Sequence, residues 1–531
     1  MSRAVFALTA LLCAGIATPA LARADGTLIE ADEARCTRVA HERFGEDVTL
    51  TRVVHLDVTP ATAGDAQGTP RMSALPAHCR IEGIINARTG ADGKDYGIGF
   101  AMALPDDWTG RFLLQGGGGL NGSVKPPVGP VASDGTPALA RGFAVISHDS
   151  GHKGAVFDDS FLADQRAALD FAEASVERVA LLGKAIATRY YGAPIAHSYM
   201  TGCSTGGREG MLAFQRYPEL FDGIVVGAPA MRSADSNLGV EYTQVLFNQA
   251  VPKDVDGVPI LSQVLTDANR KAILAGILDQ CDGLDGLKDG MVENVAQCRF
   301  QPARIGCEEA PGEGCLSAGQ VRALELGLAG PKDSAGYPLY VRMAADTGIV
   351  ASPMGYLPTG LPGPFGPPNR ATEIDLDASI HAIRNTAWQR LTDTNYWTNL
   401  STYLGRGGKV LFFHGVSDFW FSPFATWDYY QRAAEANGAD FTQASRFYMV
   451  PGMLHCSGGN SFEEFDLLSA IVAFVEEDKA PEAVTAYRKR EGEDHVRESR
   501  PLCPYPAHAA YQGGDPRRAE SFTCEPPTEA D

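Results

Sequence analysis

The stretch TGCSTGGREG, residues 201–210, sets a serine between two glycines and places a cysteine directly before it. Gly202, Ser204 and Gly206 match Gly-x-Ser-x-Gly, the pattern of a nucleophile elbow, in which a sharp turn from a strand into a helix exposes a serine hydroxyl. The preceding SYMTGC is strand-like, and the following GGREGMLAFQRYP is helix-like. The pattern predicts a nucleophilic Ser204, whereas Cys203 has no part in that chemistry and requires its own explanation.

Strand-like and helix-like segments alternate on both sides of this elbow. Residues 160–192 carry apolar residues at helical spacing and end at Gly192. The short apolar segments that read as buried strands are FLLQ (112–115), FAVISH (143–148), GIVVG (223–227), VLFFHG (410–415) and RFYMV (446–450). Such alternation predicts an α/β fold with a mostly parallel sheet that helices cover on both faces.

The alternation stops in the middle of the chain. Residues 231–394 instead contain two cysteine pairs, an Asp-Gly-rich loop and the Pro/Gly-rich stretch SPMGYLPTGLPGPFGPPNR. We therefore expect an inserted unit at 231–394, between a first part of the core at 23–230 and a second part at 395–531. A length of 531 residues agrees with more than one structural unit.

Composition limits the class of partner. The chain is 44% hydrophobic and 21% charged, as in globular proteins, and its formal net charge is −20. So negative a surface argues against nucleic acid or an anionic membrane as a partner. We expect neither.

The N-terminus has the pattern of a secretory signal peptide at residues 1–22. Arg3 precedes an apolar run from residue 4 to about 17, and Ala20-Leu21-Ala22 offers small residues for cleavage. The alternative is a membrane anchor, but the run is short for a bilayer span, and no later segment is long enough. The sequence therefore predicts a secreted or periplasmic protein.

A serine nucleophile needs a base, and the base needs a carboxylate that holds its tautomer. In α/β hydrolases these follow in the order Ser, Asp, His, each after a strand. Asp418 follows the strand-like KVLFFHG, and His455 follows SRFYMVPGM, so Ser204, Asp418 and His455 are the predicted triad.

The oxyanion of the reaction needs two backbone donors. The N–H after the nucleophile, that of Thr205, is one. The glycine run in QGGGGLNG, residues 115–122, predicts the other at Gly118 or Gly119, although such a run can also be a flexible turn.

The positions of the cysteines in the chain explain why Cys203 lies beside the predicted nucleophile. Ten cysteines remain after the leader, and an even number in an exported protein predicts disulfides. Cys203 precedes the predicted nucleophile and Cys456 follows the predicted base, so the two should lie close enough to bridge. Such a bridge would be worth on the order of 4–5 kcal/mol in the chain-entropy treatment. Two unrelated structural cysteines are the alternative.

A second group of polar residues is CDGLDGLKDGMVENVAQC, residues 281–298. Asp282, Asp285 and Asp289 recur at close spacing among glycines, which suits Ca²⁺ bound by carboxylates and carbonyls. A run of ordinary Asp-Gly turns explains the spacing equally well.

Three motifs together resemble one family. Cys-Ser-x-Gly-Gly-Arg from Cys203, Gly-x-x-Asp-x-Trp-Phe-Ser from Gly415 and Gly-x-x-His-Cys from Gly452 are similar to those of the tannases and feruloyl esterases, a family that includes the hydrolase of mono(2-hydroxyethyl) terephthalate. The resemblance covers most of the chain after the leader. It implies an α/β-hydrolase core with a large inserted lid domain, with Ser204 as nucleophile, Asp418 as acid and His455 as base.

The resemblance also implies details that spacing leaves open. It implies a structural Ca²⁺ held by the side chains of Asp282, Asp285 and Asp289 and by the carbonyls of Leu287 and Met291. The disulfides it implies are Cys203–Cys456, Cys36–Cys79, Cys281–Cys298, Cys307–Cys315 and Cys503–Cys524.

The substrate implied is a small ester of an aromatic acid. His414, Trp420 and Phe421, beside Asp418, are predicted to form one wall of its cavity, with core packing as the alternative for the two aromatic residues. Thr205 favours the feruloyl and galloyl esters. A terephthalate monoester would instead suit an arginine, and those in or near the insert are Arg342, Arg370, Arg384 and Arg390.

Three other classes of function are compatible with parts of the sequence. A serine peptidase could use the same triad, and a calcium-dependent binding protein could keep the acidic loop alone. A metallohydrolase could use His148 and His152 of HDSGH, although these more readily shape a loop beneath the active site.

Overall fold

The computed structural model describes residues 32–61, 73–350, 356–362, 366–488 and 497–528. The signal peptide predicted at residues 1–22 lies outside the described residues. The core of the molecule is a nine-stranded sheet in which the strands are ordered β1-β2-β3-β5-β4-β6-β7-β8-β9. Its strands are β1 (Val48–Leu56), β2 (His78–Thr89), β3 (Asp95–Pro105), β4 (Arg111–Gln115), β5 (Phe143–His148), β6 (His197–Cys203), β7 (Gly223–Gly227), β8 (Lys409–Gly415) and β9 (Ser445–Val450).

The sheet is mostly parallel, as predicted. Strands β5, β4, β6, β7, β8 and β9 run parallel to one another, and β1, β2 and β3 form an antiparallel extension that pairs with β5. Every residue of β5 and of β7 is buried, which is typical of strands covered on both faces. The α/β fold is confirmed.

Helices cover both faces of the sheet and fill the insert. Between β7 and β8, the described residues contribute helices and no strand of this sheet. The α-helices are Asp32–Val39, Gln165–Leu169, Ser175–Tyr191, Thr205–Arg216, Ser233–Gln249, Asp267–Cys281, Ala318–Ala329, Leu376–Asn385, Ala387–Thr392, Ser401–Gly405, Pro423–Asn437, Ala439–Ala444 and Leu467–Glu476. None of these helices combines the length and the apolar character needed to cross a bilayer.

The helical segment predicted at 160–192 contains a break in its regular winding. A 3₁₀ turn at Ser160–Ala163 precedes it, and residues Asp170–Ala174 form one turn of π-helix between Gln165–Leu169 and Ser175–Tyr191. Gly192 closes the segment in the left-handed conformation, with φ 64°. The π-turn contributes Phe171 to the wall of a cavity.

Five disulfides cross-link the described chain, and they join the same pairs as those implied by the family resemblance. Four of them close local loops of 8 to 43 residues, whereas Cys203–Cys456 joins positions 253 residues apart. This long bridge ties the end of β6 to the loop that follows β9.

Candidate active site

Ser204 lies at the turn between β6 and the helix Thr205–Arg216. Its φ of 64° and ψ of −121° are strained for a residue with a side chain, and such strain is concentrated at functional sites. Three backbone hydrogen bonds hold the turn. The Ser204 N–H donates to the Gly227 carbonyl at 3.0 Å, and the N–H groups of Arg208 and Ala230 donate to the Ser204 carbonyl. A Cβ at Gly202 would lie 2.4 Å from the Gly206 carbonyl oxygen, so glycine is required there. The local geometry is that of a nucleophile elbow.

His455 and Asp418 meet after the last two strands of the sheet. His455 Nδ1 lies 2.7 Å from Asp418 Oδ2, and Asp418 Oδ1 accepts the backbone N–H groups of Trp420 at 2.9 Å and Phe421 at 3.1 Å. Burial opposes ionisation of Asp418, but the imidazoles of His455 and His414 outweigh it and hold the pKa of its carboxyl well below the usual value. The carboxylate is therefore charged and fixed against the ring of His455.

The other ring nitrogen of His455 is buried and has no hydrogen-bond partner within the described structure, Ser204 Oγ included. Ser204 and His455 nevertheless line one cavity. Contacts between nucleophile and base are often long in a free enzyme and shorten when substrate binds. The Cys203–Cys456 disulfide holds their chain neighbours together, with the two Cα atoms 6.0 Å apart.

His414 does not form a wall of this cavity, and that prediction requires correction. The residue is fully buried at the end of β8, behind Asp418. Its Nε2 lies 3.1 Å from Asp418 Oδ2 and 3.0 Å from the Phe421 carbonyl oxygen, and its Nδ1 lies 2.9 Å from Thr426 Oγ1. Because both nitrogens are engaged in the interior, His414 supports the carboxylate instead of contacting a ligand.

The glycine run after β4 passes over the elbow, and we call residues Gly116–Gly119 the oxyanion loop. Thr205 is the first residue of its helix, so its N–H has no acceptor within the helix. Gly118 N–H is already donated to Asn121 Oδ1 at 2.6 Å, whereas Gly119 N–H has no acceptor among the described residues. Of the two predicted glycines, Gly119 is therefore the one with a free donor, and its carbonyl accepts the Thr205 hydroxyl.

The cavity has a volume of about 1140 Å³ and aromatic walls. Trp420 and Phe421 line it, as predicted, and their rings lie 4.8 and 5.3 Å from the His455 ring. The insert supplies Trp388, and the core supplies Phe157 from a loop and Phe171 from the π-turn. A planar aromatic group could therefore be held between core and insert.

The position of Phe171 depends on Arg208, a residue whose role was not predicted. The Arg208 guanidinium is buried and donates to the carbonyls of Phe171 at 2.9 Å and Ala172 at 2.8 Å, which belong to the π-turn. It also lies 4.9 Å from the Phe171 ring. The Cys-Ser-x-Gly-Gly-Arg motif thus reaches the wall of the cavity, although the local pattern identifies no partner for its arginine.

Charged groups also line the cavity. Lys125 lies beside the oxyanion loop, and no carboxylate of the described chain pairs with its ammonium group. The four arginines considered above do not line the cavity. Arg342, for example, lies 3.4 Å from the Phe424 ring, and Arg390 donates to the Arg384 carbonyl.

The acidic loop, residues 281–298 of the insert, contacts the C-terminal strand His508–Tyr511. Asp282 accepts the N–H groups of Asp289 and Gly290, and Asp289 forms an ion pair of 2.6 Å with Arg500. Asp285 Oδ2 is buried without a hydrogen-bond partner. Glu293 Oε1 also accepts no hydrogen bond, although it lies 3.6 Å from Arg500 Nε, and burial raises the pKa of these two carboxyls to about 6 and about 8. Such orphaned oxygens fit a hard cation.

Two further observations restrict which groups of the acidic loop could bind a metal ion. No three His, Cys, Asp or Glu side chains of the described ranges are grouped as metal ligands. Leu287 packs against the C-terminal cluster around Cys503, and Met291 is buried, so only their carbonyls could serve as ligands.

The two histidines of HDSGH lie in the interior. His148 Nδ1 accepts the Ser150 N–H at 3.2 Å, and the His152 ring stacks on Phe161 at 3.7 Å. Between them, Asp149 accepts the N–H groups of Gly99 at 2.8 Å and Gly151 at 2.9 Å. The segment organises the loop after β5.

The sheet order, the elbow after β6 and the polar residues after β8 and β9 together define an α/β hydrolase. The family model described as "Tannase and feruloyl esterase" matches residues 79–354 and 369–525. The chain belongs to the tannase and feruloyl esterase family, and it is a carboxylic ester hydrolase.

Individual relatives span nearly the whole chain. Mono(2-hydroxyethyl) terephthalate hydrolase of Piscinibacter sakaiensis is 37% identical over 537 residues, covering 89% of this chain and 87% of that protein. A probable feruloyl esterase of Arthroderma benhamiae is 30% identical over 450 residues, covering 80% of this chain and 81% of that protein. The crystal structure of feruloyl esterase B from Aspergillus oryzae superposes with a TM-score of 0.74 at 25% identity, covering 93% of this chain and all of that one.

Proposed function

We propose that this protein is a serine esterase that hydrolyses esters of aromatic carboxylic acids. One observation carries the proposal: Ser204, strained at the elbow, faces the same aromatic cavity as His455, whose Nδ1 is held by a buried Asp418. Aromatic rings from the core and from the insert suit an aromatic acyl group better than a peptide or a long aliphatic chain.

In this proposal, His455 Nε2 takes the Ser204 proton as Ser204 Oγ attacks the ester carbonyl. The backbone N–H groups of Thr205 and Gly119 stabilise the oxyanion. His455 then protonates the leaving alcohol, and a water molecule that His455 deprotonates hydrolyses the acyl-enzyme. Asp418 stays ionised throughout, because its two imidazole neighbours keep its pKa low.

Two substrate classes are candidates. Feruloyl and galloyl esters are favoured by the family and by Thr205 beside the nucleophile. A terephthalate monoester is favoured by the 37% identity to mono(2-hydroxyethyl) terephthalate hydrolase, and the ammonium group of Lys125 offers a partner for its free carboxylate.

We expect an aromatic ester to exceed a short aliphatic nitrophenyl ester in kcat/KM by about tenfold or more, which corresponds to about 1.4 kcal/mol of transition-state discrimination. The panel is methyl ferulate, methyl gallate and mono(2-hydroxyethyl) terephthalate, with neutral bis(2-hydroxyethyl) terephthalate as the matched control for the carboxylate. A higher kcat/KM for the terephthalate monoester than for the neutral diester identifies the terephthalate monoester as the substrate class. A higher kcat/KM for the aliphatic ester than for the aromatic esters would contradict the proposal.

We also propose that the acidic loop binds a structural Ca²⁺ through Asp282, Asp285, Asp289 and the carbonyls of Leu287 and Met291. The buried, unpartnered oxygen of Asp285 supports this. The ion would supply positive charge to a carboxylate cluster that otherwise has Arg500 as its nearest cation. None of these ligands lines the cavity, so the role of the ion is to stabilise the fold.

Removal of calcium by a chelator should therefore lower the thermal midpoint, and added Ca²⁺ should restore it. Ca²⁺ at 100 times its Kd stabilises a protein by about 2.7 kcal/mol. Asp285→Asn should abolish the calcium-dependent shift, measured by calorimetry. Asp333→Asn is the matched control, because Asp333, like Asp285, accepts backbone N–H from a turn but lies outside the acidic loop. An equal shift in both variants would contradict the assignment.

Finally, we propose that the protein is secreted or periplasmic. The predicted leader at residues 1–22 and the five disulfides support an oxidising compartment.

A further inference from the structure

We infer that Glu209 is a positioning residue that holds the oxyanion loop in register with Ser204, an inference that rests on the proposed function. Glu209 follows Ser204 by five positions, on the helix that begins at the elbow. Its side chain does not line the cavity, and the residue is only 1% exposed. Its effect on the reaction must therefore pass through the groups that it binds.

Those groups are the oxyanion loop and its support. Glu209 Oε2 accepts the Gly117 N–H at 2.9 Å. Glu209 Oε1 accepts Asn121 Nδ2 at 2.9 Å and Ser150 Oγ at 3.3 Å. Asn121 Oδ1 in turn accepts the Gly118 N–H at 2.6 Å. One carboxylate thus controls two successive N–H groups of the loop, the first directly and the second through Asn121.

The consequence falls on the last N–H of the loop, that of Gly119. Because Gly117 and Gly118 direct their donors towards Glu209 and Asn121, Gly119 N–H remains for the substrate. An oxyanion donor is effective only when it lies within about 3 Å of the developing charge. A shift of the loop by 1 Å would therefore weaken transition-state stabilisation and leave the aromatic walls unchanged.

A buried carboxylate is costly unless donors satisfy it. Here the donors are the Gly117 amide, Asn121 and Ser150, while His148 Nε2 lies 3.8 Å from Oε2. Backbone approach is also close, because a Cβ at Gly116 would lie 2.8 Å from the Gly206 Cα. The helix and the loop therefore form one rigid unit joined by Glu209.

The test compares Glu209→Gln with the exchange variant Glu209→Gln/Asn121→Asp. In the single variant, the side-chain NH₂ group of residue 209 faces the Asn121 Nδ2 donor, so the hydrogen bond between these two side chains is lost. In the exchange variant, the carboxylate at 121 accepts the Gly118 N–H and the amide of residue 209, so the network is restored with the charge moved. Glu476→Gln is the control, since Glu476, the last residue of the helix Leu467–Glu476, is a carboxylate held by Arg111 at the start of β4 and by Tyr199.

We expect Glu209→Gln to lower kcat by tenfold to a hundredfold with KM changed less than twofold. Phenylboronic acid, whose boron takes Ser204 Oγ as a fourth ligand while His455 receives the proton, should bind more weakly by a similar factor. The product acid, which needs no oxyanion donor, should bind as before. On a logarithmic scale, the exchange variant should recover at least half of the loss in kcat and in affinity for phenylboronic acid. The control Glu476→Gln should have the same kcat as the parent.

A kcat for Glu209→Gln within twofold of the parent would overturn the inference, as would equal weakening of boronic acid and product acid. If the single variant does not fold, the exchange variant decides by its affinity for phenylboronic acid, which should stay within tenfold of the parent, and a larger loss would overturn the inference. Failure of the proposed function is distinguishable, because it would show as activity that survives Ser204→Ala.

Discussion

Replacement of Ser204 by alanine is expected to lower kcat/KM for the best aromatic ester by on the order of 10⁴–10⁶-fold. Without the hydroxyl no acyl-enzyme forms, while the aromatic cavity and the oxyanion donors remain in place. Binding of the product acid should therefore stay within about twofold of the parent. The measurement is steady-state hydrolysis, combined with inhibition by the product acid.

Ser198→Ala is the matched control for this variant. Ser198 is a buried serine on the same strand, β6, but it lies near the opposite end of that strand from the elbow. Its replacement should leave kcat/KM within about threefold of the parent. Activity that survives in Ser204→Ala would remove the assignment of the nucleophile.

Asp418→Asn is expected to lower kcat by about 10⁴-fold with little change in KM. The carboxylate holds His455 Nδ1 at 2.7 Å and His414 Nε2 at 3.1 Å through the same oxygen, Oδ2. An amide at this position cannot accept from both rings and stabilise a positive imidazolium. The His455 ring should then adopt the wrong tautomer or orientation, with the cavity intact.

The same substitution should change the pH dependence of stability. The pKa of Asp418 is depressed in the folded state, so its ionisation stabilises the fold above the unfolded value of about 4, and this contribution is lost as the pH falls through the lower folded value. Acid unfolding of Asp418→Asn should therefore lack this component.

Asp466→Asn serves as the control, since Asp466 caps the helix Leu467–Glu476 and pairs with Arg141, away from His455. It should lower stability and keep kcat. Full activity in Asp418→Asn would show that another group orients the base.

Much of the candidate site could be predicted because its signals are local. A glycine on each side of Ser204 reflects the backbone of a tight turn, and Asp418 and His455 follow strands whose apolar character is evident in the sequence. The bridge between Cys203 and Cys456 followed from their chain neighbours. The antiparallel extension β1–β3 was not predicted. Its strands β1 and β2 are of mixed burial and carry a weaker apolar signal than the parallel strands.

The contributions that were missed depend on contacts between distant parts of the chain. His414 has the same local context as Trp420 and Phe421, yet only the packing of β8 against its neighbours turns it behind Asp418 instead of into the cavity. Likewise, the glycine run has several equivalent amides, and only Asn121 and Glu209 determine which of them stays free.

The sequence by itself determined the α/β class, and it predicted the elbow at Ser204, the order of the proposed acid and base, and the cysteine pair beside them, because each rests on backbone conformation or on neighbours in the chain. The tertiary structure decided which side chains face the cavity, which amide of the oxyanion loop remains a donor, and how Arg208 and Glu209 support the walls and the loop. These outcomes depend on burial and on hydrogen bonds between segments far apart in sequence, which no local pattern encodes.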